Sequence, residues 1–279
     1  MLSQSDLRDM KKVVDINYLR RPELEGYLTK STDNRIVLTD FAAMEIYKCN
    51  AVKNLIRQLE IVSRYSTRVF VLKGTREIVQ LTLGSCKLPE ILIDVDQTIG
   101  FHDFCRLNRT ALKGDTSLRE EVISKQIVAS QYLEEQKQSH QLLVEGIKGF
   151  AKLYNPSHLK ELRSGKKLSQ GIMENITKHI MLISGLLFKK HPDINAPPDF
   201  QYLKDSFVFR FAVSTYYLSL KWIKDGGIDQ VAPEKLSNDV VDMNYIAYAT
   251  YFDGLLSLDK KLNEIYGDTI KYLNYFNSS

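Results

Sequence analysis

Near its start the chain alternates short apolar runs with amphipathic stretches. The segment KKVVDINYL (11–19) is a β-branched run that closes on an acid, RPELEGYLTKS (21–31) has helical spacing, and NRIVLT (34–39) is a second apolar run. A long helical pattern follows in DFAAMEIYKCNAVKNLIRQLEIVSRY (40–65), and RVFVLKG (68–74) adds another strand candidate. Strands that alternate with helices predict a parallel α/β sheet flanked by helices. Thr39 and Asp40 stand where the N-cap of the long helix belongs.

The texture changes in the middle of the chain. From about 115 to 190 the pattern is long and helical, rich in Glu, Lys, Gln and Leu and poor in strand character. NPSH (155–158) and HPDINAPPDF (191–200) are its clearest breaks, each with proline beside turn-forming residues. HIMLISGLLF (179–188) reads as a buried helix, because it is half the length that crosses a bilayer and KKHP follows it. From 202 a further helix is predicted, closed by Gly226 and Gly227. The expected organisation is a first α/β part over 1–110, a helical insertion over 111–200 and a closing α/β part over 201–279.

Composition narrows the classes. The 279 residues carry a net charge of +4, a mild basic bias that tolerates a polyanionic partner without demanding one. Cys49, Cys86 and Cys105 are odd in number and scattered, which predicts a reduced protein rather than a disulfide framework. The polar opening MLSQSDLRDMKK has no apolar leader core, so a cytoplasmic location without a membrane span is expected.

Four acids then stand out. Asp15 ends the first strand candidate, Glu45 lies in the first turns of the next helix, Asp242 opens a small-residue helical segment, and Asp259 follows the short run GLLSL. In an open α/β sheet the carboxyl ends of strands and the first turns of helices face one crevice, so these positions can converge. Converging carboxylates repel each other and favour a hard cation such as Mg²⁺ or Mn²⁺. Taken singly, each acid is explained as well by capping or by complementing a helix dipole.

The stretches VVDINYLR, IVLTDFAAMEIYK and DMNYIAYATYFDGLLSLDKKL together resemble the PIN-domain family of metal-dependent nucleases, over about residues 10–75 and 205–266. The resemblance implies a PIN-like sheet interrupted by the helical insertion. It also implies Asp15, Glu45, Asp242 and Asp259 as metal ligands and catalytic acids, with Asn17 and Ser257 orienting ligands and water. Asp239, one helical turn before Asp242, is the alternative ligand. The implied activity is Mg²⁺- or Mn²⁺-dependent hydrolysis of phosphodiesters in RNA, of a toxin or defence type. Arg20, Arg210 and Lys260 are the candidate substrate contacts, Arg210 because it sits in the apolar context FVFRFAV. An inhibitory or assembly partner on the helical insertion belongs to the same expectation, and self-association stays open.

Two other readings compete. The rival is a catalytically silent PIN-like interaction or regulatory protein whose insertion is a docking surface, although the intact set of acids favours the enzyme. ILIDVDQT (91–98), an apolar run ending in Asp-x-Asp-x-Thr, resembles the opening motif of haloacid-dehalogenase-like phosphatases, with Asp94 as nucleophile and Asp96 as acid and base. A zinc site from Cys86, His102 and Cys105 has suitable ligands at irregular spacing and no fourth.

Overall fold

The computed structural model describes residues 10–47, 52–84, 89–111, 154–164, 168–225 and 231–278, with the single positions 131 and 149. Much of the expected insertion, the helix-closing Gly226 and Gly227, and Cys49 and Cys86 lie outside the described residues. Contacts divide the chain into two units. One comprises Met1–Ile78, Lys87–Glu135 and Tyr248–Lys260, and the other Val79–Cys86, Gln136–Ala247 and Lys261–Ser279. The sequence pattern suggested an insertion over 111–200; contacts instead gather 136–247 with the last nineteen residues.

The first unit is α/β. Strands β1 (Met10–Val14), β2 (Asn34–Leu38), β3 (Val69–Val71) and β4 (Leu255–Leu256) form one sheet in the order β3-β2-β1-β4, and every pairing is parallel. Val13, Val14, Ile36, Val37 and Leu38 are consecutive buried positions. Such unbroken apolar runs are what a parallel strand covered on both faces requires. Helix α1 (Pro22–Lys30) joins β1 to β2, starting with proline at its first turn and burying Leu24 and Leu28 four residues apart.

The single long helix expected after β2 is divided into α2 (Asp40–Tyr47), α3 (Val52–Gln58) and α4 (Glu60–Arg64). Between the last two, Leu59 is displaced to φ −96° and ψ 4°. The ladder nevertheless continues through it, since Leu59 N–H donates to Leu55 and Ser63 N–H donates to the Leu59 carbonyl at 2.8 Å. Helices α5 (Thr75–Leu81) and α6 (Val95–Ala111) come next, and α6 packs on β3.

The ILIDVDQT segment is not a sheet strand. Pro89–Leu92 is a 3₁₀ turn, Ile93 makes only an isolated antiparallel bridge to Leu72, and Asp94 caps α6 by accepting from Gln97 N–H at 2.8 Å. Asp96 is exposed in the first turn of α6. The phosphatase reading therefore loses the strand end that its nucleophile needs. His102 Nε2 contacts the Val69 carbonyl and Cys105 is buried, so these two side chains have structural places.

The described elements of the second unit are helices: α7 (Pro156–Arg163), α8 (Gln170–Lys190), α9 (Phe200–Leu203), α10 (Phe207–Lys224), most of α11 (Pro233–Ala249) and most of α12 (Lys260–Ser278). NPSH proves to be a helix start, with Asn155 as N-cap accepting from His158 N–H and Pro156 in the first turn. Helix α10 is apolar nearly all round and buried along most of its length. HIMLISGLLF is amphipathic rather than wholly buried: Ile180, Ile183 and Phe188 face inward, while Leu182 and Leu186 are 53% and 57% exposed. No helix among the described residues is long and apolar enough to cross a membrane.

Inside this unit lies a buried polar chain. His179 Nδ1 meets the Tyr216 hydroxyl at 2.9 Å, and that hydroxyl also meets the hydroxyl of Tyr154. A neutral imidazole protonated at Nε2 accepts at Nδ1 from Tyr216, which in turn accepts from Tyr154. Burial, helped by the nearby Lys178 charge, lowers the His179 pKa below its ordinary 6.5, and burial raises those of Tyr154 and Tyr216.

Because the folded chain holds His179 neutral, the unfolded chain binds more protons just below pH 6.5. The stability contributed by this neutral contact is full above that pH and is lost as pH falls toward the depressed folded value. Thermal unfolding followed between pH 8 and 5 is expected to show Tm dropping over that window, with a shallower drop in His179→Asn. Equal slopes in the two proteins would contradict this account.

Candidate functional site

The chain runs β1, β2, β3 in one direction across the sheet and then returns to add β4 on the other side of β1. The strand order thus reverses between β1 and β4, and in open parallel sheets the crevice beyond the carboxyl ends at such a reversal is the usual ligand site. Asp15 directly follows β1, and Ser257 directly follows β4.

Main-chain bonds enforce this juxtaposition. Asp253 N–H donates to the Lys11 carbonyl and Asp253 Oδ2 accepts from Lys11 N–H, both at 2.8 Å. Val13 N–H then donates to Gly254, and Asp15 N–H to Leu256 at 3.0 Å. Gly254 turns the chain into β4 at φ 139°, a conformation that side-chain-bearing residues rarely adopt.

Asp15 is only 5% exposed. One carboxylate oxygen accepts from Asn17 N–H at 3.3 Å, and the other accepts from the Ser257 hydroxyl at 2.8 Å. The Ser257 oxygen accepts in turn from Asp259 N–H at 3.1 Å. Burial raises the Asp15 pKa above its ordinary 3.8; the bonds from Ser257 and Asn17 oppose the shift, and the negative charge of Asp259 adds to it. A desolvated carboxylate facing a second carboxylate is electrostatically short of positive charge, which is what a divalent cation supplies.

The other expected residues are distributed unevenly. Glu45 is half-buried on α2, which packs beside the 3₁₀ turn Ile16–Tyr18 that follows Asp15. Asn17 acts on Asp15 through its backbone amide, while its side chain is exposed. Arg20 and Lys260 are exposed in the α/β unit. Among the described residues no three His, Cys, Asp or Glu side chains are gathered so as to hold a metal by themselves.

Asp242, Asp239 and Arg210 belong to the helical unit. Asp242 was expected to open a helix, but α11 begins nine residues earlier at Pro233, so Asp242 lies well inside it. The proline was the signal for that start. Asp239 is neither a cap nor free: one oxygen pairs with Lys261 Nζ, and the other has no hydrogen-bond partner among the described residues. Arg210 pairs with Asp205 at 3.6 Å and donates to the Lys204 carbonyl at 3.0 Å, which ties down the turn before α10.

A second carboxylate at the sheet edge went unnoticed as more than a cap. Thr39 is the N-cap of α2, accepting from Ala42 N–H at 3.0 Å, which leaves Asp40 available for other work. Asp40 Oδ2 accepts from Thr75 N–H at 2.8 Å and from the Thr75 hydroxyl at 2.6 Å. Its Oδ1 accepts from Phe41 N–H at 2.9 Å and, at 3.4 Å, from the Tyr248 hydroxyl, which also meets Thr75. Nothing in the local sequence announces Tyr248, since its partners lie 208 and 173 residues away.

Comparison with family models, with curated proteins and with solved structures found no match to this chain.

Two outcomes test this geometry. Because the folded state raises the Asp15 pKa, the favourable protonated form is fully present below pH 3.8 and is lost as pH rises through the folded value, so at neutral pH the carboxylate costs stability. Asp15→Asn is therefore expected to raise Tm at pH 7.5 without divalent ions, with the gain vanishing below pH 3.8. A lowered Tm would contradict the assigned electrostatics. Gly254→Ala is expected to lose about 1–3 kcal/mol in denaturant unfolding, because alanine at that φ is strained.

Proposed function

We propose that the chain is a divalent-cation-dependent nuclease acting on single-stranded RNA at the carboxyl edge of its parallel sheet. One observation carries the reading: Asp15 is buried at the reversal of strand order, held in one orientation by Ser257, and pressed by the charge of Asp259. Asp15 also caps the 3₁₀ turn Ile16–Tyr18 by accepting from Asn17 N–H, a role that requires neither its burial nor the Asp259 charge near it.

Mg²⁺ commonly uses one or two carboxylates and completes its shell with water and substrate phosphate. Asp15 and Asp259 suit that pattern. A cation so held polarises a phosphodiester oxygen and brings an attacking water toward neutral pKa. Ser257 then has a positioning role, since it fixes Asp15 through its hydroxyl proton and Asp259 through its oxygen. Glu45, on the helix beside the Asp15 turn, is the third acid of this reading, and Arg20 and Lys260 are its phosphate contacts. The same resemblance supports a regulatory partner on the helical unit.

Labelled single-stranded RNA and DNA, incubated with Mn²⁺ or with EDTA, provide the test. Cleavage of RNA by the wild type is expected with Mn²⁺ and not with EDTA. An Asp15→Asn, Asp259→Asn double variant is expected to be inactive. Ser257→Ala is expected to weaken Mn²⁺ affinity about 10- to 100-fold, read from the Mn²⁺ dependence of Tm as well as from rate. Glu45→Gln and Asp242→Asn, assayed in parallel, assign the remaining acids. Equal cleavage by wild type and double variant would overturn the proposal.

A further inference from the structure

The helical unit contains an open groove of about 790 Å³. Parts of α7, α8, α10 and α12 line it, and its size is that of a small-molecule site. Three tyrosines shape it. Tyr272 is buried at its back and fixed by donation to Thr177, Tyr217 is half-buried, and Tyr275 is 40% exposed. The ring of Tyr272 lies 6.1 Å from that of Tyr217 and 6.4 Å from that of Tyr275, centroid to centroid. These rings form an aromatic wall whose outer member, Tyr275, is 40% exposed.

The polar lining has a definite balance. Lys224 and Lys271 reach the groove, and Asp268 is the one acid among its lining residues. Lys271 pairs with Asp268 at 3.1 Å, but the lysine is 79% exposed, so water screens that pair heavily. Lys224, at the end of α10, has no acidic partner among the described residues. Gln170 adds an amide, whose Nε2 donates to Glu174.

A ligand that fits must therefore be planar and aromatic on one side and anionic on the other. It must also carry groups that exchange hydrogen bonds with an amide and a carboxylate. A nucleotide has all three: a base that stacks on tyrosine, base-edge donors and acceptors, and a phosphate for lysine. A purely aliphatic ligand leaves the lysines and Asp268 without a purpose.

We infer that this groove binds a nucleotide, with its base stacked against Tyr275 and its phosphate beside Lys224. The site uses none of the acids at the sheet edge, so it stands or falls separately from the nuclease reading. The ligand chemistry has two sources, a free nucleotide or one unit of a single strand.

Calorimetric titration of the full chain in EDTA, with AMP, UMP and a short RNA oligonucleotide as probes, separates them. An abasic oligonucleotide controls for charge alone. Saturable binding of AMP or UMP identifies free nucleotide; saturable binding of the RNA oligomer but not of the abasic strand identifies a unit of a strand. Tyr275→Ala and Lys224→Glu are expected to weaken binding at least about tenfold each, and Lys224→Glu, whose side chain is exposed, is expected to keep Tm near wild type. No saturable binding of any base-bearing probe, or binding that both groove variants leave unchanged, overturns the inference. Equal binding of abasic and base-bearing strands overturns it too.

Discussion

The pairing of β1 with β4 is the constraint on which the candidate site depends. It consists of only a few main-chain hydrogen bonds, yet it closes a loop of chain more than two hundred residues long and fixes Asp15 beside Ser257. Loop closure costs entropy that grows slowly with length, so the long excursion is less expensive than it looks. The short strand is not held by pairing alone. Asp253 grips the Lys11 backbone at one end, and the Ser257 hydroxyl grips Asp15 at the other. Between them Gly254 supplies the one backbone conformation that lets the chain turn into the sheet.

What that pairing assembles is unfavourable by itself. Parallel strands present their carboxyl ends together, so Asp15 after β1 is taken out of water while the exposed Asp259 beyond β4 adds its negative charge nearby. The Ser257 and Asn17 donors compensate Asp15 in part, and its raised pKa measures the remainder. A chain selected only for stability gains from a neutral residue here. Strain of this electrostatic kind is common where a ligand completes the charge balance.

Much of this was legible in the sequence, and the reasons are specific. The runs VVD and IVLT are unbroken β-branched segments bounded by turn signals, so both strands and their parallel class could be read. Thr39 was recognisable as a cap because threonine precedes an apolar periodic stretch. ILIDVDQT misled, because an apolar run of three residues does not distinguish a strand from a 3₁₀ turn leading into a helix. The start of α11 was misplaced for a related reason: the small-residue segment from Asp242 is conspicuous, while the true start rests on one proline. Arg210 stood out by its apolar context, and the partners seen for it, Asp205 and the Lys204 carbonyl, lie in the preceding turn. The Asp40–Thr75–Tyr248 cluster had no local signature, since its members meet only through tertiary structure.

Asp40 and Asp15 make an instructive pair because they occupy similar places, one or two residues beyond a central strand of the same sheet. Asp40 takes the Phe41 and Thr75 amides and the Thr75 hydroxyl, and the single Tyr248 hydroxyl proton is shared between Asp40 and Thr75, so most of its charge is used in tying the start of α2 to residue 75 and to Tyr248. That carboxylate is a clasp, and it has little capacity left for a cation. Asp15 is engaged by the Asn17 and Ile16 amides and the Ser257 hydroxyl, but it is more deeply buried than Asp40 and feels the negative charge of Asp259. Burial and that charge, more than the number of donors, separate two acids that the sequence pattern treats alike. Asp239, with one oxygen on Lys261 and the other unpaired among the described residues, is intermediate. Its lysine already supplies the positive charge that Asp15 lacks, which makes Asp15 the acid with the stronger electrostatic demand for a cation.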